Sequence, residues 1–189
     1  MIDEALIFLK NQVNAHIDPK AGATPGVADD KVVLIDGEKT PVTFQPEAIS
    51  LLLVNIAEER VLREADPYSR AAGGGSQKVF PDIPLYLYVL FAARFKKYSE
   101  GLGHLSSIIG YFQNHRVLDR QNAPTLDSRI EKLVMELVSL PFCEQADMWS
   151  GLRSSYRPSV LYKASMVVFR DEDGTPTTRI TDKELRKSP

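Results

Sequence analysis

The sequence predicts an α+β fold in which a central mixed or mostly antiparallel sheet is packed by about three helices. Three observations carry this expectation. Apolar residues recur at helical spacing near the start of the chain, strict alternation appears at residues 85–91 and 133–137, and helical stretches separate these segments from each other and from a last apolar strand at 160–169. Helices between the strands leave parallel and antiparallel pairings both open, and the alternation favours a sheet solvated on one face.

The first element follows from Ile2, Leu6, Leu9 and Val13, with Ala5 beside them, which form the stripe of an amphipathic helix ending near His16. Asp18-Pro19 and the Gly22, Pro25 and Gly26 that follow read as a loop. Residues 32–35, the Asp36-Gly37 turn signal and an extended piece at 42–44 predict a hairpin. Residues 49–56 are apolar except for Ser50 and Asn55, which suits a buried strand better than a short helix. Residues 58–70 are dense in charge and lead into Gly73-Gly74-Gly75-Ser76, where backbone freedom is costly to fix. A mobile loop or an interaction arm is expected there.

Leu85, Leu87, Val89 and Phe91 alternate with Tyr86, Tyr88 and Leu90, giving a central strand apolar on one face and aromatic on the other. Tyr98, Leu102, Leu105, Ile109 and Phe112 then mark the buried stripe of a helix. Gly101, Gly103 and Gly110 lie within it, each costing about 1 kcal/mol relative to Ala, and close packing on the sheet would account for them. Beyond a loop with Asn122 and Pro124, Leu133, Met135 and Leu137 alternate with Lys132, Val134 and Glu136, a strand with one wetter face. Pro141 opens a helix whose stripe is Phe142, Ala146, Trp149 and Leu152, with Trp149 as core anchor. After the last strand, residues 170–189 carry too few apolar side chains to hold themselves in a core. The expected division is one domain over 1–169 and a charged arm over 170–189.

Composition narrows the function. A chain of 189 residues, 43% hydrophobic and 25% charged, is that of an ordinary globular domain. Its net charge of -2 provides no basic field, and the arginines Arg60, Arg63 and Arg70 are interleaved with acids, so no nucleic-acid partner is expected. The N-terminus has neither the basic flank nor the apolar run of a signal peptide, and no segment approaches the ~20 apolar residues of a membrane span. Synthesis in the cytoplasm without membrane insertion is expected. The one cysteine, Cys143, reads as a small buried hydrophobe near Phe142, Ala146 and Trp149.

Catalytic chemistry is not advertised. His16, His104 and His115 lack metal-ligand spacing, and the Gly73 to Lys78 stretch lacks the spacing of a phosphate loop. Asp171-Glu172-Asp173-Gly174 lacks the later ligands of a calcium loop. A hydrolytic or small-ligand site would need Glu58, Asp82 and His104 to converge in a cleft. No catalytic residue, metal or cofactor is therefore assigned, and an assembly protein is the reading the residues favour.

Four landmarks in order sharpen it: the start Met1-Ile2-Asp3-Glu4-Ala5-Leu6, the strand Pro84-Leu85-Tyr86-Leu87-Tyr88-Val89-Leu90-Phe91, the helix containing Ile108-Ile109-Gly110-Tyr111-Phe112-Gln113, and Tyr156-Arg157-Pro158-Ser159-Val160-Leu161-Tyr162-Lys163. Together they resemble the cap, or tube-terminator, proteins of extracellular contractile injection systems and related phage-tail-like particles, to about Val168. The resemblance implies a hexameric ring at the end distal from the baseplate, where it would stop growth and join the inner-tube protein to the sheath protein. The terminator of a contractile phage tail shares that geometry and is the alternative. Longer relatives carry further C-terminal sequence, and only residues 170–189 follow the last strand here, so a separate plugging domain is not expected. Such a particle would be assembled in the cytoplasm and then released or anchored in the producing cell.

The interface is expected in the two segments too polar to fold alone. Its candidates are Glu58, Glu59, Arg60, Arg63, Tyr68, Arg70 and Phe80 in the first, with Arg170 and Arg179 in the tail. Ring symmetry would repeat each modest contact and multiply its effect.

Overall fold

The computed structural model describes residues 1–17, 30–35, 42–59, 68–70, 76–78, 83–168 and 175–176. Helix α1 (Ile2–Ile17) precedes β1 (Val32–Leu34), β2 (Ala48–Glu58), β3 (Tyr68–Arg70), β4 (Ser76–Lys78) and β5 (Ile83–Arg94). Then come α2 (Tyr98–Asn114), β6 (Val117–Asp119), β7 (Lys132–Val138), α3 (Phe142–Gly151), β8 (Ser159–Val168) and β9 (Thr175–Pro176). Six strands form one sheet in the order β1-β2-β5-β8-β7-β6, and β3-β4-β9 form a second, three-stranded sheet. In the larger sheet β1 runs parallel to β2 and the remaining pairs are antiparallel. The fold is thus the α+β arrangement expected, with the 85–91 alternation in a central strand.

That alternation feeds two cores. Leu87, Val89, Phe91 and Ala93 are buried with Phe8, Leu9 and Val13 of α1 and with Leu105, Ile108 and Phe112 of α2. Leu90 and Ala92 join Leu52, Leu161, Phe44 and Trp149 in a second, smaller cluster. Phe44 and Trp149 lie 5.5 Å apart between ring centroids, and burying aromatics of this size contributes about 2–3 kcal/mol each. The second face is therefore covered at one end, which corrects the expectation of a sheet solvated on one whole side.

β2 explains its own unbroken apolar run. Leu53 lies opposite Val89 but Asn55 lies opposite Tyr88, so Val54 is an extra residue in the strand. One inserted residue reverses which face each later side chain takes. Ile49 and Leu51 accordingly enter the larger core, whereas beyond the bulge Asn55 and Ala57 lie beside Tyr88 and Tyr86.

The expected hairpin of residues 32–35 with 42–44 does not form. Val32, Val33 and Leu34 pair in parallel with Ile49, Ser50 and Leu51. The opposite edge at Val32 is already occupied: Asn14 Nδ2 donates to the Val32 carbonyl and Asn14 Oδ1 accepts the Val32 N–H, each at 2.8 Å. No edge is left there for a hairpin partner, and Phe44 instead plugs the second core. The Asp36-Gly37 turn signal lies outside the described residues.

Both later helices are rotated from their expected stripes. In α2 the buried residues are Gly101, Leu105, Ile108, Tyr111 and Phe112, while Tyr98 is 66% exposed and Leu102 is also exposed. Gly101 does pack closely, since a Cβ there would lie 3.2 Å from Phe95 Cδ2 and 3.3 Å from Ala93 Cβ. Gly103 and Gly110 face open space, so close packing does not account for them. In α3 Trp149 is the core anchor as expected, but Phe142 is 91% exposed and Ala146 is exposed. Cys143 is exposed too, not buried as expected. A ten-residue helix held at its end by one large indole leaves its first turn in solvent.

β6 was not anticipated. Its three residues pair with Lys132, Leu133 and Val134 of β7. Asn122 closes its outer edge, accepting from the Asp119 N–H at 3.0 Å and donating to the Val117 carbonyl at 2.8 Å.

Candidate assembly interface

The end of the second sheet face away from Trp149 carries charge and phenol rings. Antiparallel register sets Glu136 of β7 opposite Lys163 of β8, and Lys163 opposite Tyr88 of β5. Lys163 Nζ lies 2.6 Å from Glu136 Oε2 and 4.7 Å from the Tyr86 ring centroid. Arg116 Nη2 reaches the other oxygen, Glu136 Oε1, at 3.4 Å. The hydrogen bond from Lys163, ahead of the effect of Arg116, holds the Glu136 carboxyl below the usual carboxylate range.

Across the sheet the Glu59 carboxylate accepts the Tyr86 hydroxyl and pushes that phenol's pKa up to about 12. Glu59 is itself fixed by its N–H, which donates to the Pro84 carbonyl at 2.9 Å. Arg116, Glu136, Lys163, Tyr86 and Glu59 thus form one stripe that crosses from the start of β6 to the end of β2. Exposed pairs of this kind stabilise a fold by about 0–1 kcal/mol. The stripe therefore adds little to the monomer, and its charge pattern is available to a partner.

Of the sequence-predicted interface residues, Glu59 lies in this stripe. Glu58 is exposed at the end of β2, opposite Leu85. Tyr68 and Arg70 lie on β3, opposite Lys78 and Ser76. Gln77 and Lys78 of β4 pair in turn with Pro176 and Thr175 of β9. The two polar segments singled out by sequence, the first expected as a mobile loop or an interaction arm and the second as a charged arm, are therefore joined by strand pairing. Arg60, Arg63, Phe80, Arg170 and Arg179 lie outside the described residues.

Arg116, Glu136, Lys163 and Tyr86 were not among the candidates. Their polar positions on alternating strands were visible, but only the register brings them together.

The histidines serve packing. His104 is half-buried with its ring 5.0 Å from that of Phe95, and burial lowers its pKa. His16 and His115 flank the Tyr111 ring at 5.1 and 4.5 Å, joining the ends of α1 and α2. A cleft of about 640 Å³ opens beside α2 and β7, and neither Glu58 nor His104 lines it. Asp82 lies outside the described residues. Among the described residues no group of three or more His, Cys, Asp or Glu could hold a metal ion, and no helix is long and apolar enough to cross a membrane.

The architecture has counterparts among solved structures. The sheath/tube terminator of PVC, an extracellular contractile injection system, in its extended state matches 100% of this chain with a TM-score of 0.62 and 14% identity. The tube-terminating cap of the anti-feeding prophage matches 75% of it with a TM-score of 0.51 and 16% identity. This chain covers 64% of the first protein's length and 50% of the second's. At such identities the likeness is one of fold. No curated protein matches by sequence. The model of the Pvc16 N-terminal domain, however, matches residues 6–182, nearly the whole chain, and the chain belongs to that family.

Proposed function

We propose that this chain is a structural terminator subunit of a contractile injection system, acting at the baseplate-distal end to finish the inner tube and the sheath and to join them. The family match over residues 6–182 carries this reading. It is supported by the fold shared with a sheath/tube terminator and with a tube-terminating cap. In this reading the subunits form a hexameric ring, the tube and sheath proteins are the partners, and the role is mechanical, without catalysis. Residues 1–169 act as one terminator-like domain and 170–189 as an arm. The ring is assembled in the cytoplasm on a particle that is then released or anchored.

The interface in this reading has two parts. One is the stripe from Arg116 to Glu59, and the other is the strand-paired segment holding Tyr68 and Arg70, flanked in sequence by Arg60, Arg63, Phe80, Arg170 and Arg179. Cyclic repetition turns several weak polar contacts per subunit into a durable collar. Electron microscopy of particles made with and without the chain tests the role. Tubes and sheaths of uncontrolled length, with no density at the distal end, are expected without it; unchanged ends and lengths would overturn the reading.

A further inference from the structure

Side chains close the outer edges of the larger sheet at particular places. Asn14 fills the edge of β1 at Val32, and Asn122 fills the edge of β6 at Val117 and Asp119. β7 runs on past β6. The last contact between them is the Met135 N–H donating to the Arg116 carbonyl at 2.8 Å. Upstream of Arg116 the chain turns into α2, where the His115 N–H bonds the Tyr111 carbonyl.

An antiparallel ladder directs alternate residues to alternate neighbours. If Met135 faces β6, Leu137 faces the same way, beyond the end of β6, and not toward β8. Among the described residues no group meets the Leu137 N–H or carbonyl, and its side chain is 53% exposed. This gap adjoins the cleft of about 640 Å³, whose lining includes Ile109, Phe112, Leu137 and Tyr162 together with Arg116 and Glu136.

We propose that the gap at Leu137 is a strand-accepting site: an extended segment of a different protein lies beside Glu136–Val138, with an apolar side chain in the cleft and an acidic side chain on Arg116. Another backbone offers a donor and an acceptor at the spacing Leu137 presents, and alternate side chains of such a strand reach the cleft. Charge selects the acid. Arg116 and Lys163 share the single Glu136 carboxylate, and Arg116, 66% exposed, holds it at only 3.4 Å. The asparagine-filled edges at Val32 and at Val117 and Asp119 oppose joining two copies edge to edge, which favours a different protein as the donor. That the donor is a tube or sheath subunit rests on the terminator reading; the site itself does not.

The test compares particles assembled with the wild-type chain, without it, with Leu137→Pro and with Ile109→Asp. Proline at Leu137 removes an N–H that points away from β8, so the ladder within the chain keeps its bonds. Ile109→Asp charges the cleft from α2 without touching β7. Both variants should keep the wild-type circular dichroism and fall about tenfold or more in occupancy of particle ends. By hydrogen exchange the Leu137 amide should exchange freely in the isolated chain and be protected about tenfold or more in the particle.

Full occupancy by both variants, or an unprotected Leu137 amide in the particle, overturns the strand site and leaves the terminator role standing. Unchanged particle ends without the chain overturn that role instead, and with it the source of the strand. Protection that grows with the concentration of the isolated chain assigns the cleft to a second copy and also overturns the proposal. Should Leu137→Pro fail to fold, Ile109→Asp and the exchange measurement decide.

Discussion

Asn14 stands in for a β-strand at Val32, meeting both its N–H and its carbonyl at 2.8 Å from a side chain that is 8% exposed. The carboxamide offers the donor and the acceptor that a neighbouring strand would supply, so α1 caps the sheet edge and fixes its own position on it. An aliphatic replacement leaves two backbone groups buried without partners.

Asn14→Leu is accordingly expected to destabilise the protein by about 2–4 kcal/mol, from two unmet groups at about 1–3 kcal/mol each with partial relaxation. Urea unfolding followed by circular dichroism measures it. A loss below about 0.5 kcal/mol, the scatter of ordinary surface changes, would mean that the clamp does not matter to stability.

The two kinds of glycine in α2 should respond oppositely to alanine. Gly110 has open space around a built Cβ, so Gly110→Ala should stabilise by about 0.5–1 kcal/mol through helix propensity. At Gly101 the new methyl would meet Ala93 Cβ at 3.3 Å, on a central strand that has little freedom to yield, and Phe95 Cδ2 at 3.2 Å. Gly101→Ala should be net destabilising. Equal shifts in melting temperature for the two variants would contradict the packing.

In α3 the burden falls on one residue. Trp149→Ala should cost about 3–5 kcal/mol, since it empties the second core beside Phe44. Phe142→Ser should change stability by less than about 0.5 kcal/mol, because that ring is already in solvent. Chemical denaturation of the two variants side by side separates these roles.

These contrasts mark what the sequence could and could not convey. Strict period-two alternation placed β5 and β7 correctly because each side chain's face follows from the pleat alone. The β2 run concealed its bulge: apolar residues on both sides of Val54 erase the alternation that would have shown the change of register. In α2 the sequence leaves the buried stripe ambiguous because Ile108 and Ile109 offer two overlapping apolar faces, and contact with the sheet selects between them. Asn14 and Asn122 look like ordinary polar positions until the strand beside them is placed. Similarly, Lys163 and Glu136 are 27 positions apart, as their numbers show, and only the β7–β8 register makes them neighbours.

A loop clasp is expected to fail in acid. Arg129 donates from its N–H and from Nε to Asp127 Oδ1, each at 2.9 Å, and its guanidinium also contacts Glu4 at the start of α1. The Arg129 hydrogen bond holds the Asp127 carboxyl down to about 2 from its ordinary 3.8. A folded value below the unfolded one means the contribution is fully present above the unfolded pKa and disappears as pH falls through about 2. Carbon-detected NMR titration of Asp127 should show this low midpoint, and Arg129→Met should return it toward 3.8. An unchanged midpoint would remove Arg129 as the cause.

The stripe across the sheet permits a sharper separation of surface from core. Lys163 bonds Glu136 and rests over the Tyr86 ring, so Lys163→Met keeps most of the aliphatic contact while removing the charge. The Glu136 carboxyl should then titrate higher, since its first cause of depression is gone and Arg116 remains at the longer distance. Stability should change by less than about 1 kcal/mol, as for other exposed pairs. Attachment to particle ends should fall nonetheless, because the variant alters the charge pattern a partner would meet. NMR titration of Glu136, urea unfolding and occupancy by electron microscopy read the three effects separately. A variant that raised the Glu136 pKa yet attached like wild type would confine the stripe to the chain's own electrostatics.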